Sequence, residues 1–201
     1  MVNFRCPAFV FVLALGLSTT GVGQERIRNA AAGIELTPPA GWHEASLAQV
    51  QANRENVRMA DADLQHAIQT RSALPLIVFT KYVEPHEGLN PSLQVTLRAA
   101  LRGTPTDLLS TALEPMRRAF PDFRLVSPVH PTEVSGWPAA AMEATYTLRS
   151  KAGGAFPVRS RMWLVPRGQL MFLIGMSGSA TGADVADAEF KAALDSIVIQ
   201  K

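Results

Sequence analysis

The sequence predicts an α+β domain, an antiparallel β-sheet flanked by helices. Residues 123–176 form a succession of apolar or alternating stretches separated by turns of a few residues. Strands joined so tightly are antiparallel neighbours, because parallel pairs need long crossovers. Helical spacing is confined to residues 47–70, 104–116 and 183–194. A hydrophobic fraction of 47% with 18% charged residues suits one globular domain with an adequate core.

In chain order, residues 32–37 alternate apolar and polar, and Pro38-Pro39-Ala40-Gly41 ends that strand before Trp42. Ser46 is the expected N-cap of a helix over 47–59, in which Leu47, Val50 and Val57 recur near helical spacing. A second helical piece is expected over 61–70. Residues 74–83 are rich in β-branched and aromatic side chains, and 92–97 alternate Leu93, Val95 and Leu97 with polar neighbours. Two strands are therefore expected there, joined by the polar loop 84–91. Thr104-Pro105 reads as an N-cap followed by proline at the first helical position, and Pro115 implies a break near 112–114. Strands are expected over 123–126, 132–134, 139–148, 158–164 and 169–176. A last helix over 183–194, burying Val185, Phe190, Ala193 and Leu194, precedes a short tail.

The N-terminus predicts export. Arg5 precedes an uninterrupted apolar run over 8–17, and the small residues of Thr20-Gly21-Val22-Gly23 follow, the order of a cleavable secretory signal. Cleavage is expected after Gly23. The apolar run is about half the roughly 20 residues a spanning helix needs, so the mature chain, 24–201, is expected to carry no transmembrane segment. Cys6, the only cysteine, lies ahead of the apolar run and leaves with the signal, which excludes disulfides and a thiolate nucleophile from the mature domain. The formal charge is only +2 and no block of Lys or Arg stands out, so neither nucleic acid nor an anionic membrane surface is an expected partner.

No catalytic spacing emerges. Gly175-Met176-Ser177-Gly178-Ser179 lacks the glycine that a nucleophile elbow needs two residues after its serine. His43, His66, His86 and His130 show no two-ligand spacing. The loop of Glu84, His86 and Glu87 concentrates possible metal donors, yet three donors beside Pro85 and Gly88 equally describe a solvated turn. Asp61 with Asp63, and Asp184 with Asp187, fall near first helical turns, where acidic side chains meet the helix dipole favourably. Trp42, Trp137, Trp163, Tyr82 and Tyr146 are expected in the core rather than around a ligand pocket. Arg149, Lys151, Arg159, Arg161 and Arg167 are expected on a solvated sheet face, with Arg159 and Arg161 on the same side.

The segment from Ile34 through Thr37, Pro38-Pro39-Ala40-Gly41 and Trp42, together with Phe190-Lys191-Ala192-Ala193-Leu194-Asp195-Ser196-Ile197 near the end, resembles the PsbP-like fold. The resemblance spans nearly the whole mature chain and implies an antiparallel sheet between helices. It implies no catalytic residue, because the fold includes binding and assembly factors without a shared active site. The photosystem role does not transfer, since nothing here resembles a thylakoid transit peptide. The expected function is a non-enzymatic accessory or binding protein of the envelope, periplasmic or extracellular, without a cofactor. Its partner is an envelope protein or a small ligand, and its oligomeric state stays open. A small-molecule or lipid carrier with a sheet–helix pocket, and an enzyme whose site is dispersed through the sequence, are the alternatives.

Overall fold

A computed structural model describes residues 25–71, 73–181 and 186–201. The expected signal peptide with Cys6, and Asp184 and Val185 at the start of the last expected helix, lie outside the described residues.

The elements are β1 (Ile27–Asn29), β2 (Ile34–Leu36), β3 (His43–Glu44), α1 (Leu47–Asn56), β4 (Val57–Arg58), α2 (Ala62–Arg71), β5 (Ile77–Thr80) and β6 (Ser92–Ala99). They continue with α3 (Pro105–Ser110), α4 (Leu113–Ala119), β7 (Arg124–Val134), β8 (Trp137–Ser150), β9 (Ala155–Arg167), β10 (Leu170–Ser179), α5 (Asp187–Ser196) and β11 (Val198–Ile199). Where a single sheet was expected, the strands form two. Strands β1, β2 and β11 make a small sheet, and the large sheet runs β3-β5-β6-β10-β9-β8-β4, with β7 also on β8. Every pairing is antiparallel. The second sheet arises because the C-terminal tail does not trail off after α5: Val198 and Ile199 pair with Glu35 and Ile34.

Alternation along β9 and β10 divides the interior into two layers. Val165, Phe172, Ile174 and Met176 meet the small sheet and α5 through Ile34, Leu36, Phe190, Ile197 and Ile199. Met142, Leu164 and Leu173 face the opposite way and pack with Leu108 and Leu109 of α3. The sheet is thus covered on both faces.

The helix starts follow the capping residues. Ser46 and Gln49 form a reciprocal capping box on α1, as do Thr104 and Asp107 on α3, where Pro105 opens the first turn. The break before Pro115 falls between Ser110 and Leu113. Three expectations need correction. The helix expected to reach Met59 stops at Asn56, because Val57 and Arg58 join the edge of β8 opposite Ser150 and Arg149. The two short strands expected over 123–126 and 132–134 are one eleven-residue strand, β7. Its Pro128 and Pro131 are tolerated because β7 pairs on one side only and carries two register shifts. The last helix, expected over 183–194, includes Asp195 and Ser196.

Trp42 is 5% exposed and meets Phe190 edge-on with centroids 5.6 Å apart, while its indole donates to Glu189 Oε1 at 3.3 Å. Trp137 donates to the Ile199 carbonyl at 3.2 Å, and Trp163 packs against the same core. Trp42 is therefore a core residue, and Trp137 and Trp163 are half-buried at the core's margin.

Candidate functional site

One edge of β8 is forked. Its first part pairs with β7 from Trp137 to Thr145, and its end pairs with β4 at Arg149 and Ser150. The two partner strands do not meet. In the gap, Asp122 takes the place of a neighbouring strand: its Oδ1 accepts from the Thr147 amide at 3.1 Å and its Oδ2 from the Thr147 hydroxyl at 2.6 Å. The Ala60 amide donates to the Ala119 carbonyl at 3.0 Å, tying the chain after β4 to the end of α4. Phe120 stacks on Tyr146 with centroids 4.2 Å apart and stiffens the same corner.

This fork leaves a half-open cavity of about 570 Å³, lined among others by Arg58, Met59, Phe120, Asp122, Thr147 and Arg149. Its size lies in the range of small-ligand sites. A second hollow of about 370 Å³ shares Arg149 and Ser150 and extends toward Glu84, His86 and Asn90. Apolar and cationic groups thus converge on one notch at the sheet edge.

The Thr147 hydroxyl and amide hold the Asp122 carboxyl below its ordinary value, against the opposing effect of desolvation, and Arg149 adds a smaller pull in the same sense. The unfolded aspartate titrates near about 3.9. The contact therefore stabilises the fold fully above that pH and is lost as pH falls through the lower, folded value. Asp122→Asn is expected to lower the urea midpoint at pH 7, with the gap from wild type closing as both are acidified toward pH ~2.5. A gap independent of pH would show that the carboxylate charge is not what anchors Thr147.

The loop donors are not brought together as a metal site. Glu84 Oε1 accepts from Asn90 Nδ2 at 3.0 Å, and its Oε2 accepts from the His86 amide at 3.0 Å. The His86 ring stacks on Tyr82 at 4.5 Å, and Glu87 is exposed. Among the described residues, no group of three or more His, Cys, Asp or Glu is placed to hold a metal.

Ser177 lies within β10 rather than on a strand-to-helix turn, directly opposite Ser160, and donates to the Ser160 hydroxyl at 3.0 Å. Burial pushes the Tyr146 hydroxyl above its ordinary range, and its hydrogen bonds with Ser160 and Ser177 act in the opposite sense. His43, His66, His86 and His130 lie on β3, on α2, in the loop after β5 and on β7. Asp61 caps α2 through the Leu64 amide at 2.9 Å and pairs with Arg118 at 3.0 Å. Its carboxyl is lowered chiefly by that amide.

Arg159 and Arg161 do share a face, but it is not a solvated one. Both pair with Glu143 of β8, and Arg161 reaches Asp187 of α5 at 2.9 Å. Period-2 alternation found the two arginines. Nothing local reveals the helix that covers them.

The arrangement is that of an α+β sandwich with a ligand-sized notch at one sheet edge. No protein-family model matches the chain, and no curated protein matches its sequence. Solved structures do resemble it. PsbP (CyanoP) of Synechocystis sp. PCC 6803 superimposes with a TM-score of 0.55 at 13% identity, over 90% of this chain and 96% of that one. LpqN of Mycobacterium tuberculosis, involved in cell envelope biogenesis, gives 0.50 at 12% identity over 84% and 83%. A protein of Bacteroides thetaiotaomicron VPI-5482 gives 0.50 at 9% identity, over 89% of this chain and 49% of that one. The chain has the PsbP-like fold.

Proposed function

We propose that this chain is a non-catalytic accessory or binding protein of the cell envelope, and that it takes a small ligand in the notch at the fork of β8. The observation that carries the reading is the half-open cavity of about 570 Å³, whose lining combines apolar side chains with charged and hydroxylated ones. Its lining includes no histidine to activate a hydroxyl, and its one serine, Ser150, accepts a hydrogen bond from the Gly154 amide. The charged, apolar and small-residue order of residues 5–23 supports export. The fold shared with a mycobacterial envelope-biogenesis protein is consistent with that setting. No helix among the described residues is long and apolar enough to cross a membrane.

The full-length chain, expressed in a Gram-negative host, is expected in the osmotic-shock fraction with a new N-terminus within a few residues of Gln24. Retention in the cytoplasm at full length would overturn the envelope setting. Native mass spectrometry of the protein from its own source is expected to show a bound mass that Ala60→Trp, which fills the cavity from an exposed position, removes. A clean unliganded mass, or an adduct indifferent to Ala60→Trp, would overturn the notch as the binding site.

A further inference from the structure

We infer that the ligand of the notch is an amphipathic oxyanion, its head clamped between Arg58 and Arg149 and its apolar body lying along Met59 and Phe120; the inference rests on the notch being the binding site. The two arginines are direct partners across the β4–β8 pair. Residues directly opposite in an antiparallel pair extend on the same face with Cβ atoms about 4.5–5.5 Å apart, and like charges there are destabilising. Elsewhere this chain avoids that arrangement. Arg28 stands opposite Glu35 and binds it at 3.1 Å, and Arg161 stands opposite Glu143 and binds it at 3.1 Å. Among the described residues, only at the notch does arginine face arginine in register.

Among the described residues no salt bridge neutralises the pair, and Asp122 acts on Arg149 only at longer range. Neither guanidinium forms an ion pair among the described residues, and both are exposed. Asp122 is the one carboxylate in the cavity lining, and both its oxygens accept hydrogen bonds from Thr147. Two cations against one engaged anion leave the cavity net positive. A guanidinium presents a planar fork of donors matched to carboxylate or phosphate oxygens, so one oxyanion can satisfy both arginines and remove their repulsion. Free phosphate would use only this half of the site. Met59, Phe120 and Pro121 are also in the lining and favour a ligand that buries apolar surface as well. A polyanion such as nucleic acid does not fit a single pair of arginines on a chain of formal charge +2.

Calorimetric titration at low salt with dodecanoate, dodecyl phosphate, dodecanol and inorganic phosphate separates the contributions, with the chain-bearing probes kept below micelle-forming concentrations. At least one of the two amphipathic anions is expected to bind at least tenfold more tightly than dodecanol and than inorganic phosphate. Which anion binds better distinguishes a fatty-acid carboxylate from a lipid phosphate as the source of the head. Arg58→Gln and Arg149→Gln are each expected to weaken anion binding about tenfold and to leave dodecanol binding unchanged. Added salt is expected to weaken binding of the anions alone. Without ligand, both variants are expected to melt at or above the wild-type temperature, because each relieves the opposed charges.

Dodecanol binding as tightly as the anions, or anion binding indifferent to both substitutions, would overturn the inference and leave the notch as a neutral apolar site. No binding by any probe, with Ala60→Trp removing nothing from the native protein, would overturn the notch together with it.

Discussion

Phe172→Ala is expected to lower the unfolding free energy by about 3–5 kcal/mol, the range for deleting a fully buried aromatic ring. Phe172 has no exposed surface and lies on β10 between Leu97 of β6 and Val165 of β9, its partners in register. It belongs to the layer joining the large sheet to Ile34, Leu36, Ile197 and Ile199 of the small sheet and its approach. The Arg167 guanidinium lies 5.4 Å from the centre of its ring, adding a cation–π contact. Strands bonded on both sides cannot close over the space left by the ring, which keeps the cavity cost high. Chemical denaturation of Phe172→Ala beside Leu47→Ala makes the contrast, since Leu47 is 62% exposed and its truncation is expected to stay within about 0.5 kcal/mol. Similar losses for both would show that the two sheets are not held by this layer.

Glu143→Gln is expected to cost about 1–3 kcal/mol, the penalty for leaving charged partners short of a hydrogen-bonded counter-charge at a partly buried site. The Glu143 carboxylate binds Arg159 and Arg161 together, and Asp187 closes the group from the first turn of α5. Side-chain exposure is 16% for Glu143 and 18% for Arg161, so screening by salt is weaker than for a surface pair. Removing the carboxylate leaves Asp187 alone against two guanidiniums. A double-mutant cycle with Asp187→Asn is expected to give a clear coupling, because both carboxylates share the Arg161 side chain. Additive losses would mean that Glu143 and Asp187 act separately and that the network does not seat α5.

The local rules read well wherever the determining residues are adjacent in sequence. Ser46 with Gln49, and Thr104-Pro105 with Asp107, each put the cap and its partner within four positions, and both helix starts fall where those residues place them. The β8–β9–β10 meander was legible for the same reason, since its turns are short and its alternation long. Strand β4 was not. Two residues carry no period, and Val57 also fits the helical spacing set by Leu47 and Val50, so only the presence of β8, almost a hundred residues later, turns them into a strand. Pro128 and Pro131 broke the pattern of β7 because the sequence does not reveal that the strand lies at an edge. The residues lining the notch come from β4, the end of α4, the loop before β7 and β8. The Arg58–Arg149 pair exists only through register. Arg149 was visible as a basic residue near a hairpin, but its opposition to Arg58 was not.

The shortness of β4 gives the notch a second character. Two paired residues and one bond from the Lys151 amide to the Asn56 carbonyl attach this strand to the sheet, and α1 before it buries no side chain, so this stretch has little to hold it. An anion bridging Arg58 and Arg149 would join β4 to β8 across one of their two paired positions. Occupancy and strand attachment then become linked equilibria, each shifting the other by the same free energy. Whatever fills the notch would fasten this edge, and whatever pulls β4 away would discharge the cargo without disturbing either core layer.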